Sequence, residues 1–242
     1  MDLKEINLLG DSADNHWYYA SKYQAVNRLI ATLQPSAILD VGAGGGGLSR
    51  KLLKTTSAKE AWCVDIGYAY DFEDFEKDKP IHFCRAVDNI PADLVLLMDV
   101  LEHVEDDLAL LQSYVNKVPH GATFLISVPA FQFLWSEHDI FLEHKRRYSL
   151  KEMEKVVKQA GLKVEKGAYY FAAVFPIATI LRLADNFKRH FFKKKEIAPH
   201  SQLSPHHPIT NNFLACLSSA ELPFFLHNRL FGLTVFVLAK KI

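Results

Sequence analysis

A run of glycines is the feature of this sequence that most directly suggests chemistry. Residues Gly42 to Gly47, interrupted only by Ala43, lie between an apolar segment that predicts a strand and a segment that predicts a helix. Glycines suit such a turn because a side chain would block the close approach of a ligand to the backbone. Asp40 precedes the first glycine by two residues and places a carboxylate beside the loop. The segment therefore predicts a loop that binds an adenosine-type cofactor.

Two cofactor motifs fit this loop. One is the dinucleotide-binding pattern GxGxxG, formed by Gly42, Gly44 and Gly47. The other is the loop of S-adenosylmethionine-dependent methyltransferases, an acidic residue followed by three alternating glycines, formed here by Asp40, Gly42, Gly44 and Gly46. The carboxylate of Asp40 would attract the ammonium and sulfonium groups of S-adenosylmethionine, and it would repel a pyrophosphate. Charge therefore favours S-adenosylmethionine over a dinucleotide.

Alternating strands and helices must position this loop. Short apolar runs predict the strands, and amphipathic segments between them predict the helices. This alternation predicts an α/β fold with a Rossmann-like, doubly wound and mostly parallel sheet, whose ligands bind beyond the carboxyl ends of the strands. The predicted strands are residues 37–41, 61–64, 81–84, 94–98, 123–128, 163–171 and 232–238.

Four ordered motifs give the sequence a family resemblance. They are LDVGAG at 39–44, MDVLEHVEDD at 98–107, VPAFQFLWSEHD at 128–139 and HKRRYS at 144–149. With them the sequence resembles class I S-adenosylmethionine-dependent methyltransferases, and within that class a bacterial subgroup acting on small molecules. The likeness extends over about residues 15–170. It implies S-adenosylmethionine as the cofactor and a seven-stranded sheet whose last strand is antiparallel.

The resemblance also assigns cofactor contacts to residues that follow the predicted strands. Without a cofactor, Asp40 and Asp65 would instead be acids that cap turns. The segment at 70–79, between the second and third predicted strands, is expected to be a short acidic helix. The assigned residues are Asp40, Gly42, Gly44 and Gly46 at the methionine end, Asp65 with Ile66 at the ribose, Asp88 or Asn89 at the adenine, and Met98 with Asp99 beside the methionine moiety.

Polar residues after the fourth and fifth predicted strands are candidates for catalysis. Methyl transfer from a sulfonium is an in-line displacement, and a hydroxyl acceptor additionally requires a base. We expect His138 to be that base, with Asp139 to orient it or the nearby His144, although loop histidines without a chemical role are equally common. Glu102 and His103 are expected either to shape the cofactor pocket or to begin a helix.

Further side chains in the same region are candidates for contact with the acceptor. Arg146 and Arg147 could bind a carboxylate or phosphate through paired hydrogen bonds, or they could form a solvated basic turn. Trp135, together with Phe131 and Phe133, could form an apolar wall for the acceptor or belong to the core. No spacing among the histidines matches a known metal-ligand set, so we expect no metal ion.

The last third of the sequence departs from the alternation of strands and helices. We expect a methyltransferase core formed by residues 1–171 and 231–242, interrupted by a helical insert at 172–230. The insert has apolar residues at helical spacing and a basic face that includes Arg182 and Lys193–Lys195. Such a helix could lie on an anionic membrane surface, close over the acceptor as a lid, or pack with its basic face in solvent.

Composition and charge exclude several classes of protein. The 242 residues carry 28 basic and 28 acidic side chains, and a formal net charge of zero argues against general nucleic-acid binding. The three cysteines, Cys63, Cys84 and Cys216, form no CxxC pair, which predicts free thiols in a reducing compartment. The sequence shows neither a signal peptide nor an apolar run long enough for a membrane span. We therefore expect a cytoplasmic protein that could also act at the inner face of the membrane.

These observations predict an S-adenosylmethionine-dependent methyltransferase that methylates an oxygen atom of a small or lipid-linked acceptor. Two alternatives have other features in their favour. A nicotinamide-dependent oxidoreductase would share GxGxxG, but the YxxxK catalytic pair is missing because Tyr148 is followed four residues later by Glu152. A non-catalytic, methyltransferase-like binding module is the second alternative, although such a module would have no need of Asp40 and the glycine loop. The sequence leaves the acceptor and the oligomeric state open.

Overall fold

Helices on both faces of a mostly parallel sheet form the body of the protein. The computed structural model describes residues 15–192 and 207–242, with the backbone alone for residues 185–192. The helices are α1 (Trp17–Ile30), α2 (Gly47–Thr55), α3 (Asp107–Lys117), α4 (Glu137–Phe141), α5 (Leu150–Gln159), α6 (Phe175–Phe192) and α7 (Pro208–Phe225). The strands are β1 (Ala37–Val41), β2 (Glu60–Val64), β3 (Phe72–Glu76), β4 (Lys79–Cys84), β5 (Leu94–Met98), β6 (Thr123–Pro129), β7 (Leu162–Tyr170) and β8 (Thr234–Lys241).

The order of the strands places a ligand crevice at the middle of the sheet. The eight strands lie in the order β3-β4-β2-β1-β5-β6-β8-β7. Strands β4, β2, β1, β5 and β6 are parallel to one another, whereas β8 is antiparallel to both of its neighbours. From β1 the chain proceeds to β2 on one side and later to β5 on the other, so the direction of winding reverses between β1 and β5. Parallel α/β sheets bind ligands at the carboxyl ends of the strands at such a reversal.

Two hydrophobic layers hold the sheet between its helices. On one face, Leu111 of α3 and Met153 of α5 belong to a buried cluster with the central strands. On the other face, Val26 of α1, Leu52 of α2 and Phe225 of α7 form the second cluster. Strands β1 and β5 are buried at every residue because helices cover both faces. The α/β sheet expected from the sequence is thus present.

One segment differs from its predicted structure and changes the strand count. Residues 70–79 contain β3 rather than a short acidic helix, so the described sheet has eight strands instead of the expected seven. The ring of Phe72 stacks on that of Phe83 in β4, with 4.4 Å between the centroids. Asp74 forms an ion pair with Arg50 of α2. Cross-strand stacking and this ion pair favour the hairpin, whereas a helix would place the acidic side chains beside one another.

The predicted insert contributes the helices α6 and α7. Helix α7 packs against α1, where the backbone amide of Trp17 donates a 2.8 Å hydrogen bond to the side chain of Asn211. The hydroxyl of Ser219 donates a 3.0 Å hydrogen bond to the side-chain oxygen of Gln24. The basic residues Lys193–Lys195 lie outside the described residues. Helix α6 exposes large apolar side chains, namely Ile177, Ile180, Leu181 and Leu183.

Neither a membrane span nor a disulfide contributes to the described structure. Within residues 15–192 and 207–242, no helix is both long and apolar enough to cross a membrane. The three cysteines are free, as predicted, although only Cys63 is buried, while Cys84 is half-buried and Cys216 is exposed. The stability of the fold therefore rests on non-covalent packing.

Candidate functional site

The glycine loop follows the carboxyl end of β1 in a conformation that requires glycine. Gly42, Gly44 and Gly46 have positive φ angles of 68°, 54° and 69°, which residues with a β-carbon rarely adopt. A β-carbon at Gly46 would also lie 2.9 Å from the ring of Phe83. The amide of Gly42 donates a 2.7 Å hydrogen bond to the carbonyl of Val64 at the end of β2. The loop is therefore fixed at the carboxyl end of β1 by the neighbouring strand β2.

Asp65 holds this loop from the residue after β2. One carboxylate oxygen accepts a 3.0 Å hydrogen bond from the amide of Gly44, and the other accepts a 2.8 Å bond from the amide of Gly67. The hydroxyl of Tyr68 donates a 2.6 Å hydrogen bond to the carbonyl of Gly44. Asp65 is half-buried, and the side chain of Ile66 is 87% exposed. Both residues predicted at the ribose thus lie at the carboxyl end of β2, beside the glycine loop.

Asp40 lies beneath the loop rather than on its surface. The residue is 3% exposed, and its carboxylate accepts a 2.7 Å hydrogen bond from the hydroxyl of Ser49 in α2. Burial raises the pKa of this carboxyl above its usual range. Asp40 therefore joins the loop to α2 as well as bordering the crevice.

A cleft opens between α1, the glycine loop and the end of β5. Its empty volume is about 460 Å³, including the solvent at its mouth. Lys22 of α1 and Asp99 after β5 form an ion pair in this cleft. The second carboxylate oxygen of Asp99 accepts a 3.0 Å hydrogen bond from the hydroxyl of Ser127. Predicted cofactor residues Asp40, Met98 and Asp99 all line the cleft, so the structure brings them together.

The ion pair in the cleft remains charged at neutral pH. Burial alone would lower the pKa of Lys22, but the charge of Asp99, its hydrogen bond with Lys22 and further nearby acidic groups together outweigh burial and raise the pKa. Burial would likewise raise the pKa of Asp99, but the charge of Lys22 lowers it. The cleft therefore presents one cation and one anion side by side.

Lys22 is a site residue that was not predicted from the sequence. It lies three residues after Tyr19 and four before Val26, both of which are buried on the inner face of α1. A lysine on the apolar face of a helix is rarely buried unless it is paired. That position was the signal that could have identified it.

Glu102 is a second buried acid close to this cleft. It lies in the 3-10 helix Leu101–His103 and is fully buried. Among the described residues, no other residue donates a hydrogen bond to either of its carboxylate oxygens. Burial, and then the charge of Asp99, raises its pKa well above the usual range. One ligand atom each from Glu102, His103 and His144 lie within 4.8 Å of one another.

A buried carboxylate organises the segment after β6. Asp139 is fully buried and accepts hydrogen bonds from Nε and Nη2 of Arg147, at 2.7 and 3.0 Å. Nδ1 of His144 lies 2.9 Å from the same carboxylate, and the amide of Ser136 donates to it at 2.8 Å. Burial opposes the ionisation of Asp139, but His144 and Arg147 together hold its pKa well below the usual range. Asp139 therefore positions Arg147 and His144 rather than contacting solvent.

The two arginines predicted to bind the acceptor have partners within the protein. Besides the two bonds to the carboxylate, Arg147 donates a 3.1 Å hydrogen bond from Nη1 to the carbonyl of Ala130. Nη2 of Arg146 donates to the carbonyls of Val104 and Glu105, at 3.1 and 2.6 Å. Both guanidinium groups hold loops together, which argues against the predicted clamp on the acceptor.

His138 is a weaker base than its predicted catalytic role requires. Burial, and then the nearby charge of Arg182 in α6, lowers the pKa of His138 to about 3. A base with so low a pKa removes a proton from a hydroxyl poorly, because general-base catalysis is most effective near the working pH. The structure therefore argues against His138 as the catalytic base.

The remaining predicted residues follow the carboxyl ends of β4 and β6. Asp88 and Asn89 are exposed after β4, and since β4 and β2 are parallel, they share the carboxyl edge of the sheet with Asp65. Phe131 and Phe133 stack with 5.3 Å between their ring centroids, and Phe133 is 51% exposed. Trp135 is half-buried. The exposed ring provides an apolar surface after β6.

A family model matches the part of the chain that builds this crevice. Residues 15–166 match the family described as "Methyltransferase domain". The chain belongs to this family. S-adenosylmethionine is therefore the expected cofactor, and membership favours the methyltransferase interpretation over the nicotinamide-dependent oxidoreductase. No curated protein matches the sequence significantly.

Solved structures share the fold of this methyltransferase domain. A chain from the complex of the Haloferax volcanii Trm112 methyltransferase activator has 16% identity and a TM-score of 0.55, covering 99% of this chain and 92% of that one. Haemonchus contortus phosphoethanolamine N-methyltransferase 2, solved with S-adenosyl-L-methionine, has 15% identity and a TM-score of 0.51. The match covers 100% of this chain and 60% of that one. The [4+2]-cyclase SpnF has 11% identity and a TM-score of 0.55. The match covers 93% of this chain and 81% of that one. The inclusion of a cyclase means that the fold alone does not specify methyl transfer.

The low pKa of His138 predicts a pH-dependent contribution to stability. The unfolded chain binds a proton at this histidine near pH 6.5, whereas the folded chain does so only near pH 3. The neutral imidazole of His138 therefore makes its full contribution to the free energy of unfolding above about pH 6.5. As the pH falls toward 3, that contribution is lost by up to about 1.4 kcal/mol per pH unit. We expect urea denaturation from pH 7 to pH 4.5 to show a smaller loss of stability in His138→Gln than in the wild type. The exposed His227→Gln is the control, and an identical pH dependence of His138→Gln and wild type would contradict the assignment.

Proposed function

We propose that this protein transfers the methyl group of S-adenosylmethionine to an oxygen atom of a small or lipid-linked acceptor. The Lys22–Asp99 ion pair in the cleft is the observation that carries the proposal. The methionine end of the cofactor has a carboxylate and an ammonium group, and the ion pair offers the complementary charges in one place. A pyrophosphate would find only one of these charges favourable.

The other cofactor contacts are proposed from their positions around the cleft. Amides of the glycine loop would approach the methionine moiety, because Gly42, Gly44 and Gly46 leave the backbone accessible. Asp65 would accept hydrogen bonds from the ribose hydroxyls, since each carboxylate oxygen can accept more than the one bond it has. Asp88 or Asn89, at the same edge of the sheet, would contact the adenine.

Methyl transfer places limited demands on the protein around these contacts. The acceptor oxygen attacks the methyl carbon in line with the carbon–sulfur bond, and the positive charge of the sulfonium is neutralised as the bond breaks. Alignment and exclusion of water therefore contribute most of the acceleration. The stacked rings of Phe131 and Phe133 support an apolar or aromatic acceptor held beside the cleft.

Removal of one charge from the ion pair tests the cofactor site. We expect Lys22→Met and Asp99→Asn to weaken S-adenosylmethionine binding at least tenfold, about 1.4 kcal/mol, because each variant leaves one charged end of the cofactor unpaired. Isothermal titration calorimetry would measure the change, with thermal unfolding to confirm that the variants fold. Lys54→Met, which removes an exposed lysine paired with Glu76, is the control. Wild-type affinity in both cleft variants would refute the assignment.

The function itself is tested by binding and then by turnover. Calorimetric titration with S-adenosylmethionine, S-adenosylhomocysteine and NAD should show binding of the first two only. Transfer of a labelled methyl group to a panel of phenols, catechols and lipid-linked hydroxyl compounds should then identify an O-methylated product. Binding of NAD alone would overturn the proposal. Cofactor binding without transfer to any oxygen acceptor would favour the non-catalytic binding module.

A lipid-linked acceptor has independent support from the surface of the insert. Ile177, Ile180 and Leu181 of α6 are each more than half exposed. Exposed apolar side chains on neighbouring turns of one helix are typical of surfaces that contact lipids or other proteins. Since α6 also packs against the segment after β6 through a hydrogen bond from Arg182 to the carbonyl of Leu134, an acceptor carried in a membrane would be delivered close to the cleft.

Replacement of an exposed isoleucine tests this part of the proposal. We expect Ile180→Ser to weaken binding to anionic phospholipid vesicles roughly tenfold, because burial of an isoleucine side chain contributes about 1.5–3 kcal/mol. Vesicle co-sedimentation would measure the change. Ile140→Ser, which alters an exposed isoleucine outside the insert, is the matched control. Failure of the wild-type protein to sediment with the vesicles would exclude the membrane contact and leave a soluble small acceptor.

A further inference from the structure

The buried carboxylate of Glu102 lacks the partner that its environment requires. The residue is fully buried, and none of the other described residues donates a hydrogen bond to its carboxylate oxygens. The charged side chains that act on it, Lys22 and Asp99, are already paired with each other. A buried, unpartnered carboxylate is costly whether it is charged or neutral. A bound cation would remove that cost.

Two histidines adjoin this carboxylate in an arrangement suited to a metal ion. One ligand atom each of Glu102, His103 and His144 lie within 4.8 Å of one another, and the two imidazole rings meet edge to face with 4.8 Å between centroids. Bonds of about 2.0–2.2 Å to one ion place its ligand atoms about 3–3.5 Å apart. Small side-chain rotations would therefore bring the three groups to a common ion.

His144 has the orientation expected of a metal ligand. Its Nδ1 lies 2.9 Å from a carboxylate oxygen of Asp139. A hydrogen bond from Nδ1–H to that carboxylate fixes the tautomer in which Nε2 carries a lone pair. Histidine ligands in metalloproteins commonly have such a carboxylate partner, which raises the basicity of the coordinating nitrogen. Arg147 in turn keeps Asp139 ionised and in place.

We infer that Glu102, His103 and His144 form a binding site for one divalent transition-metal ion beside the cofactor cleft. Two imidazole nitrogens and one carboxylate oxygen suit Zn²⁺, Mn²⁺ or Fe²⁺ better than Mg²⁺, which prefers oxygen ligands alone. Three protein ligands leave at least one coordination position open, as in catalytic rather than structural sites. No metal was predicted from the sequence, because no spacing among the histidines matches a known ligand set. Only the fold brings Glu102 and His103 beside His144.

The open position gives the site a role that rests on the proposed methyl transfer. An acceptor hydroxyl bound to the ion would lose its proton to solvent, because coordination lowers the pKa of a bound hydroxyl group. A lone pair of the resulting oxygen anion then forms the bond to the methyl carbon, and the electrons of the carbon–sulfur bond remain on sulfur. The ion would thus supply the activation that the weakly basic His138 does not. Glu102 and the oxygen anion would balance the two charges of the ion.

Metal binding can be measured without any activity. We expect the purified protein, stripped with chelator and dialysed against micromolar Zn²⁺, to retain one ion per chain by elemental analysis. Glu102→Gln and His144→Gln should each lower the affinity at least tenfold. The matched control is His82→Gln, because His82 also lies between carboxylates, with its ring nitrogens 2.9 Å from Glu73 and 3.7 Å from Glu60.

Fold and function controls separate the possible results. Glu102→Gln retains the shape of the side chain, and thermal unfolding should show that it folds but is no longer stabilised by Zn²⁺. Co²⁺ should give a visible absorption band with the wild type that is absent from both ligand variants. No bound metal in the wild type, or equal binding by the ligand variants, would overturn the site. Full methyl transfer by the chelator-treated protein would overturn the role of the ion while leaving the proposed methyltransferase activity intact.

Discussion

The buried carboxylate of Asp139 is the constraint on which the acceptor side of the site depends. It begins α4 through the amide of Ser136, fixes the side chain of Arg147, and sets the orientation of His144. A fully buried charge with three different partners tolerates little displacement, because loss of any one partner leaves the others incompletely paired. The long connection between β6 and α5 is thereby held in one conformation, although most of it lies outside regular secondary structure.

Pairing of charges explains how the crevice can contain so many ionisable groups. Lys22 neutralises Asp99, and Arg147 neutralises Asp139, so each pair adds little net field to the site. Glu102 is the exception, with no matching cation among the described residues. Because its pKa is raised well above the usual range, the carboxyl of Glu102 favours its neutral form unless a cation lies beside it. Such an environment responds strongly to added positive charge because the surroundings are poorly solvated.

Local sequence patterns were sufficient for the sheet and the glycine loop, but not for the contacts between distant residues. Apolar runs at 37–41 and 94–98 predicted two strands, and the structure confirms both. These strands are predictable because a strand that is buried on both faces consists mainly of apolar residues. The hairpin of β3 was missed because its acidic residues find cations on α2, which the local pattern cannot show. Lys22 and Asp99 are 77 residues apart, and only the folded sheet brings them together. The partners of Arg146 and Arg147 within the protein were missed for the same reason.

The charged side chains of the outermost strands also affect how the folded molecules behave toward one another. An edge strand presents backbone groups to which a second sheet could add, and charged side chains oppose such addition because they would lose their hydration. On one edge, β3 exposes Glu73 and Asp74, and on the other, β7 exposes Lys163 and Glu165. The acidic composition that made β3 resemble a polar helix in the sequence thus disfavours aggregation by sheet extension, which would otherwise threaten a protein with an eight-stranded open sheet.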